Sequence, residues 1–423
     1  MRTVLDAVLE HATQRPAEPC FDLVSLRAEE QRRTWREVAE GAARAAGFFA
    51  GQGVGRGDTV VLIGTHHVDF VACWLGAVWV GAAPCVLAEP SVRVDREVYW
   101  SRLEALLTRI GAKVVVTAPA VEAKVVASTY TAAASYAGAA VAKVDAAEHD
   151  LLLLQHSSGT TGLQKGVMLS HGAVMRHAAS YGRALALQPG DRVASWLPLY
   201  HDMGLIACFV TPLIAGVPVT WLSPFEWVAQ PASLLAAIDR YRATHVWLPN
   251  FAYGFLAQRV RGGTWDLSCI KAVINCSEPV TAEAIDAFSA RFGGNGLAAS
   301  AVHACYAMAE NVFAVTTTSP AQPIRRRTVA LEAWQTRHEA VEAADGVTHV
   351  SSGVPVEGCE VQIVAVDSAR RIGVGHGGRV LIRSPFLFDG YFRRDDLNAG
   401  LFGADGFYDT GDLGYLDEAG HLY

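Results

Sequence analysis

Ser157, Ser158, Thr160 and Thr161 carry hydroxyls, Gly159 and Gly162 stand between and after them, and Lys165 adds an ammonium before Gly166. Glycines let a backbone turn tightly and bring its N–H groups close to a ligand. Hydroxyls, exposed amides and one cation, with no acid among them, suit a polyphosphate. The same residues also suit a plain polar loop between two elements, because short motifs of this kind are common. The order is not the Walker pattern, in which Lys directly follows the second glycine; here Lys165 comes three residues after Gly162.

Such a loop needs a rigid mount. Leu151-Leu-Leu-Leu154 is a continuous apolar run and reads as a strand covered on both faces. Capping-box spacing at Thr3 with Asp6 and at Thr34 with Glu37 predicts two helix starts, the second helix ending near Gly51 and Gly53. Strands are predicted at 60–63, 84–87 and 113–117. A helix reaching about Gly81 separates the first two. Another over 96–110 places Val98, Leu103, Leu106, Leu107 and Ile110 roughly on one side. Residues 118–148 show no clear period. After the loop, Ser170-His171-Gly172 opens a helix to about Ala186. Strands at 192–198, 217–222, 244–249 and 271–277 then alternate with helices from Gly204 and over 231–242, 252–260 and 282–292. That alternation implies parallel βαβ units with right-handed crossovers. Ligands of such sheets bind at the carboxyl ends of the strands, and the polar loops 155–166, 199–202, 249–254, 275–279 and 303–310 fall there. From about 325 the texture changes. A mixed helical stretch at 325–350 precedes short strands at 360–366 and 379–383 and a turn-rich end, which predicts a small antiparallel unit.

Composition narrows the class. A chain of 423 residues is long for one core, so two or three packed units are expected. Apolar residues make up 51% and charged ones 18%, which excludes disorder. The net charge of −7 argues against a nucleic-acid surface, and Arg325-Arg326-Arg327 reads as a solvated face. Eight scattered cysteines with no CxxC pair signal neither zinc nor a redox dithiol, and read as buried thiols of a reduced, cytoplasmic compartment. Asp6 and Glu10 interrupt the N-terminus, which lacks the apolar core of a secretory leader. Two uncharged stretches, 70–88 and 203–222, are long enough for a bilayer, but glycines with Pro84, Pro212 and Pro218 divide each into a buried helix and a buried strand, so no membrane span is expected.

Five further stretches join the glycine loop: Pro198-Leu-Tyr-His-Asp202, Asn275-Cys-Ser-Glu-Pro279, Tyr306-Ala-Met-Ala-Glu310, the segment from Gly377 ending Asp389-Gly-Tyr391, and Tyr408-Asp-Thr-Gly-Asp412. In this order and at these distances, from about residue 30 to the last, the chain resembles the adenylate-forming superfamily of acyl-CoA synthetases, luciferases and nonribosomal adenylation domains. Leu197-Pro-Leu-Tyr-His-Asp-Met-Gly-Leu205, Pro249-Asn-Phe-Ala-Tyr253 and the extra segment around 325–350 look most like the fatty acyl-AMP ligases. Departures are Gln164 for a usual proline, Ala307 for a usual glycine, Cys276-Ser277 where Gly-Ala is common, and Asn311 after the acid. They leave nucleotide binding in place and bear on which acid is taken.

The resemblance implies an α/β fold: two βαβ-type sheet-and-helix subdomains (1–200 and 201–325), an acyl-AMP-ligase-like insertion (326–350) and a small antiparallel, barrel-like β subdomain (351–423). It implies that Ser157, Ser158, Gly159, Thr160, Thr161, Gly162 and Lys165 cradle the outer phosphates of ATP, and that Glu310 holds Mg²⁺. Tyr306 would lie against adenine, with Ser277, Glu278 and Pro279 on one side and Cys305, Ala307 and Met308 around it. Asp412 would accept the ribose hydroxyls. His201 would meet the substrate carboxylate, with Asp202 a structural neighbour, and Trp247, Asn250, Phe251, Tyr253 and Gly254 would line an acyl tunnel. Each has a plainer reading: a surface acid, a core tyrosine, a turn aspartate, a hydrogen-bonded histidine, ordinary core. The family also carries a mobile lid with a catalytic lysine beyond the Thr-Gly-Asp motif. This sequence stops at Tyr423, so the lid is expected to be missing and adenylation by residues 1–423 slow.

The expected activity is formation of acyl-AMP from ATP and a carboxylic acid, with an acyl carrier protein as acceptor. One rival is an acyl-CoA ligase of the same fold. Another is an adenylate-binding partner without turnover.

Overall fold

Apolar runs of four to six residues become strands with both faces covered, and the loops between them carry the polar residues. The computed structural model describes residues 2–64, 66–90, 95–117, 138–156, 164–320 and 322–423, and the backbone of the strand Ser128–Thr131. A nine-stranded sheet has the order Val354–Pro355, Ala314–Thr317, Val302–Ala307, Ala272–Asn275, His245–Leu248, Val193–Ser195, Val219–Leu222, Pro19–Val24, Gln31–Thr34. Its middle is parallel and its edges are antiparallel. A six-stranded sheet runs Ser128–Thr131, Val114–Thr117, Thr59–Ile63, Ala83–Leu87, Leu151–His156, Gly166–Ser170, parallel up to its last pair. The division expected at residue 200 does not coincide with the sheets: Pro19–Val24, Gln31–Thr34 and Val193–Ser195 belong to the nine-stranded sheet.

Both capping boxes form, starting the helices Val4–Gln14 and Trp35–Gly51. The latter packs on Val68–Trp79 so closely that a Cβ at Gly76 would stand 2.6 Å from the Ala45 Cβ. Helix Arg96–Ile110 buries Leu103, Leu106, Leu107 and Ile110, but Val98 is exposed, because it points well around the helix from that stripe. The two uncharged stretches each become a helix and a strand. Among the described residues no helix is long and apolar enough to cross a membrane.

Four differences from the sequence expectation bear on the site. The strand Gly166–Ser170 lies between the glycine loop and helix His171–Ala184, so the loop joins two antiparallel strands rather than a strand and a helix. Residues 203–210 wind as a π-helix, Met203–Val210, before continuing as Thr211–Ala215. A short helix, Pro224–Ala229, follows the strand Val219–Leu222. The 325–350 stretch is mainly a hairpin, Arg326–Val329 paired with Val347–Val350, around the single helix Leu331–Arg337. The C-terminal residues form the expected antiparallel unit, Glu360–Val364, Gly378–Arg383 and Tyr408–Gly414.

Burial holds His66, His156, His171 and His303 at about 4 and His177 at about 3, against 6.5 for the free imidazole. Between those values the unfolded chain takes up protons that the folded one does not. The stability these groups contribute is therefore complete above 6.5 and lost as pH falls towards 4. The melting temperature should be several degrees lower at pH 5 than at pH 7.5 in the same salt. An unchanged melting temperature across that interval would contradict the burial of these imidazoles.

Candidate functional site

A cavity of about 490 Å³ opens where the carboxyl ends of the Ala272–Asn275 and Val302–Ala307 strands meet the C-terminal strand Tyr408–Gly414. Its walls include Ser277, Glu278, Pro279, Cys305, Tyr306, Ala307 and Asp412. Three separate sequence motifs thus meet in one space. The Tyr306 hydroxyl donates to Asp412 Oδ2 at 2.5 Å, and burial followed by that neighbouring carboxylate pushes the phenol upward. Ser277 holds a left-handed backbone (φ +68°), rare for a residue with a side chain. Its hydroxyl reaches Met203 Sδ at 3.6 Å, tying this wall to the π-helix. Glu278 caps the helix Asn250–Arg259, accepting from Phe251 N at 2.8 Å. Met308 stands just outside the lining, its amide bonded to Phe313 O.

Glu310 stands close enough to Tyr306 to act on its phenol, and Lys165 close enough to act on Glu310. Glu310 sits on a tight 3₁₀ turn, Ala309–Asn311. The next residue, Val312, has φ +63° and ψ −55°, and Phe313 N donates to Asn311 O at 2.7 Å across it. This is a γ-turn of the strained hand, at a β-branched residue. Such backbone persists only where packing overdetermines it. Val312 and Phe313 are fully buried, and Asn311 is pinned by its bonds to Ala314 O at 2.8 Å and from Ser384 Oγ at 2.5 Å. The Glu310 carboxylate accepts from the Tyr391 hydroxyl at 2.8 Å. Burial raises its proton affinity, and Asp202 adds to that. The Tyr391 hydrogen bond and Lys165 act the other way. Lys165 Nζ lies 4.9 Å from the Tyr391 ring centroid.

One segment holds these groups in register. Met168 N donates to Gly390 O at 3.0 Å, Asp389 N to Met168 O at 3.0 Å, and Phe392 N to Gly166 O at 2.8 Å, while Phe388 N donates to Glu310 O at 2.9 Å. Residues 388–392 are thus bonded both to the strand that follows Lys165 and to the Glu310 turn. The residues Ser157, Ser158, Gly159, Thr160, Thr161 and Gly162 lie outside the described residues; the strand before them ends at His156 and the next begins at Gly166, directly after Lys165.

His201 is exposed and Asp202 partly covered at the start of the π-helix. Burial raises Asp202, and His201 opposes the rise. Gly204 is required here, since a Cβ would stand 2.2 Å from Pro198 O. The acyl-tunnel candidates are elsewhere. None of Trp247, Asn250, Phe251, Tyr253 and Gly254 lines the 490 Å³ cavity. Trp247 donates to the Tyr181 hydroxyl at 2.9 Å and Tyr253 to Val273 O at 3.0 Å, both fully buried. Asn250 accepts from Asn275 Nδ2 at 2.9 Å and Thr281 N at 3.1 Å, bracing the Ser277 loop from behind. Phe251 is 51% exposed, and Gly254 has open space where a Cβ would be.

Residue types alone did not mark several neighbours. Trp334 and His349 bring the 326–350 hairpin onto the cavity, in ring contact with Tyr415, which stacks on Tyr423. Nothing in their spacing announces this. Tyr391 lies in the Asp389-Gly-Tyr motif, and its place there was the available signal.

As to Mg²⁺, no group of three or more His, Cys, Asp or Glu side chains gathers to hold a metal among the described residues. Glu310 offers a carboxylate with one oxygen taken by Tyr391 and no described side chain on the other. A hard cation that takes one protein carboxylate and completes its shell with phosphate and water fits this arrangement.

The chain has known relatives. The family model for AMP-binding enzymes matches residues 8–392. Rv1013, a Mycobacterium tuberculosis protein named as a ligase, is 31% identical over 414 residues, spanning 92% of this chain and 74% of that protein. The medium-chain-fatty-acid–[acyl-carrier-protein] ligase JamA of Moorena producens is 28% identical over 421 residues, spanning 92% and 70%. The fatty acyl-adenylate ligase from Legionella pneumophila, solved with acyl adenylate and pyrophosphate, superposes with a TM-score of 0.90 at 25% identity, over 100% of this chain and 76% of that one. Motif order and these likenesses agree: the chain belongs to the AMP-binding enzymes, the adenylate-forming superfamily, and it is similar to the fatty acyl-AMP ligases.

Proposed function

We propose that this protein activates a fatty or otherwise apolar carboxylic acid with ATP, forming acyl-AMP and pyrophosphate, and that an acyl carrier protein receives the acyl group. The observation that carries the reading is the meeting of Ser277–Pro279, Tyr306 and Asp412 around one cavity, with Glu310 near Tyr306 and Lys165 near Glu310.

In this reading adenine stacks on Tyr306 and the Asp412 carboxylate takes the ribose diol. The phosphates extend towards Lys165 and the loop before it. A carboxylate oxygen of the acid attacks the α-phosphorus, the bond to the bridging oxygen breaks, and pyrophosphate leaves with those electrons. Both reactants are anionic, so the chain must place positive charge and donors where charge develops. Lys165 supplies part of this at the outer phosphates. Glu310 would hold Mg²⁺, which when bound neutralises phosphate charge. His201, exposed just before the π-helix, is read as the imidazole that meets the acid's carboxylate.

The apolar acid is supported by the uncharged π-helix behind His201 and Asp202 and by the fatty-acid substrates in the names of the relatives. The carrier-protein acceptor rests on the name of one relative and on the hairpin that closes one side of the cavity.

Four outcomes follow from these roles. Lys165→Ala should weaken ATP binding about tenfold to a hundredfold, the scale of one charge-assisted contact; calorimetry with unchanged affinity would remove Lys165 from the phosphate site. Asp412→Ala should weaken AMP as well as ATP, whereas Lys165→Ala should spare AMP; equal losses in both variants would contradict the separate assignments. In pyrophosphate exchange, medium- and long-chain fatty acids should support turnover and small polar amino acids should not. Acyl transfer to carrier-protein phosphopantetheine should outrun transfer to free CoA, and comparable rates would favour a CoA ligase.

A further inference from the structure

Tyr391 has no role in the reaction as outlined above, yet it touches both Glu310 and Lys165. Its hydroxyl donates to Glu310 Oε1 at 2.8 Å and sits 3.1 Å from the Tyr408 hydroxyl, which can donate to it in turn. Its ring carries the Lys165 ammonium at 4.9 Å. The side chain is 5% exposed, with Phe388 edge-on at 4.9 Å. Its backbone is clamped on both sides: Tyr391 N donates to Asn398 Oδ1 at 2.8 Å, and Asn398 Nδ2 donates to Tyr391 O at 2.9 Å. Gly390 permits the approach, with φ +119° and Asn398 Oδ1 only 2.9 Å from where a Cβ would be.

A tyrosine serving only as core has no need to aim its hydroxyl at a carboxylate that its own burial helps to desolvate. Here one buried ring, fixed through its backbone, contacts an acid through its hydroxyl and a cation with its face. Neither charged side chain is otherwise stiff. Lys165 has four rotatable bonds, and Glu310 depends on the short turn beneath it. A group that orients a ligand residue from behind typically changes metal affinity or activity by about 10–100-fold when it is removed. A cation over an aromatic face is held there by the ring's quadrupole.

We infer that Tyr391 is a positioning residue for adenylation: its hydroxyl aims the Glu310 carboxylate and its ring supports Lys165, so that the acid for the metal and the cation for the phosphates stay at a fixed separation. The inference rests on the nucleotide reading of the site given above.

Two variants separate the two contacts. Tyr391→Phe keeps the ring and loses the hydroxyl; Tyr391→Leu loses both. Affinity for a non-hydrolysable ATP analogue is measured by calorimetry without the acid, once in excess EDTA and once in Mg²⁺, with melting temperature as the fold control. The wild type should bind more tightly in Mg²⁺. Tyr391→Phe should match the wild type in EDTA and lose about tenfold of the tightening by Mg²⁺, and its Mg²⁺ requirement in pyrophosphate exchange should rise by a similar factor. Tyr391→Leu should weaken binding in EDTA as well, because Lys165 loses its support. A Tyr391→Phe protein with wild-type Mg²⁺ dependence would overturn the inference while leaving the nucleotide site standing. Equal losses in EDTA and in Mg²⁺, with a lowered melting temperature, would show a merely structural tyrosine. A wild type whose nucleotide affinity ignores Mg²⁺ would instead overturn the functional reading, and this inference with it.

Discussion

A carboxylate withdrawn from water must be compensated, and at Glu310 the compensation comes from distant parts of the chain. Tyr391 provides the hydrogen bond, Lys165 the opposing charge, and the strained turn through Val312 the backbone that presents the acid. These groups enter from three directions: the edge of the nine-stranded sheet, the last hairpin of the six-stranded sheet, and the segment 388–392 that lies across both. The site therefore exists only when the sheets are docked. That docking is built from backbone hydrogen bonds, which hold geometry to a few tenths of an ångström without depending on side-chain rotamers.

The same logic explains the cavity. Parallel strands end side by side, so the loops after Asn275 and Ala307 open on one rim, as expected for sheets of this type. Asp412 closes the rim from the C-terminal strand through Tyr306. The 326–350 hairpin adds Trp334 and His349 to the far wall. Strain collects at this rim, in Ser277 and Val312, while the strands behind it are buried and regular. Polar residues set behind the rim, Asn250 and Asn275, spend their hydrogen bonds on bracing the Ser277 loop.

Much of this was legible before the structure. Capping boxes at Thr3 and Thr34 marked helix starts, because a cap is a local pattern of a few residues. Continuous apolar runs marked the buried strands. Motif order placed Tyr306, Glu310 and Asp412, which the structure brings together although more than a hundred residues separate the first from the last. What failed was what depends on partners. The strand Gly166–Ser170 was absorbed into the loop and helix around it, because it is short and defined by pairing with Leu151–His156. The hairpin strands at 326–329 and 347–350 carry charged and polar residues over an exposed edge, so periodicity did not reveal them. Trp247 and Tyr253, tunnel walls by the family resemblance, are fully buried with their polar atoms bonded to the Tyr181 hydroxyl and Val273 O, and the acid panel is the test of that role. Tyr391 stood in a recognised motif without a role, since the contacts that define it come from residues 165, 310, 398 and 408.

The central claim is that one adenylate-binding site is assembled at the meeting of Tyr306, Asp412, Glu310 and Lys165. A crystal structure of the protein with a non-hydrolysable acyl-adenylate analogue tests it most directly. Adenine should lie against Tyr306 and Ser277–Pro279, the ribose on Asp412 and the phosphate mimic towards Glu310, with the acyl chain leaving past His201. An analogue seated in another cavity, or a ribose that does not touch Asp412, would contradict it.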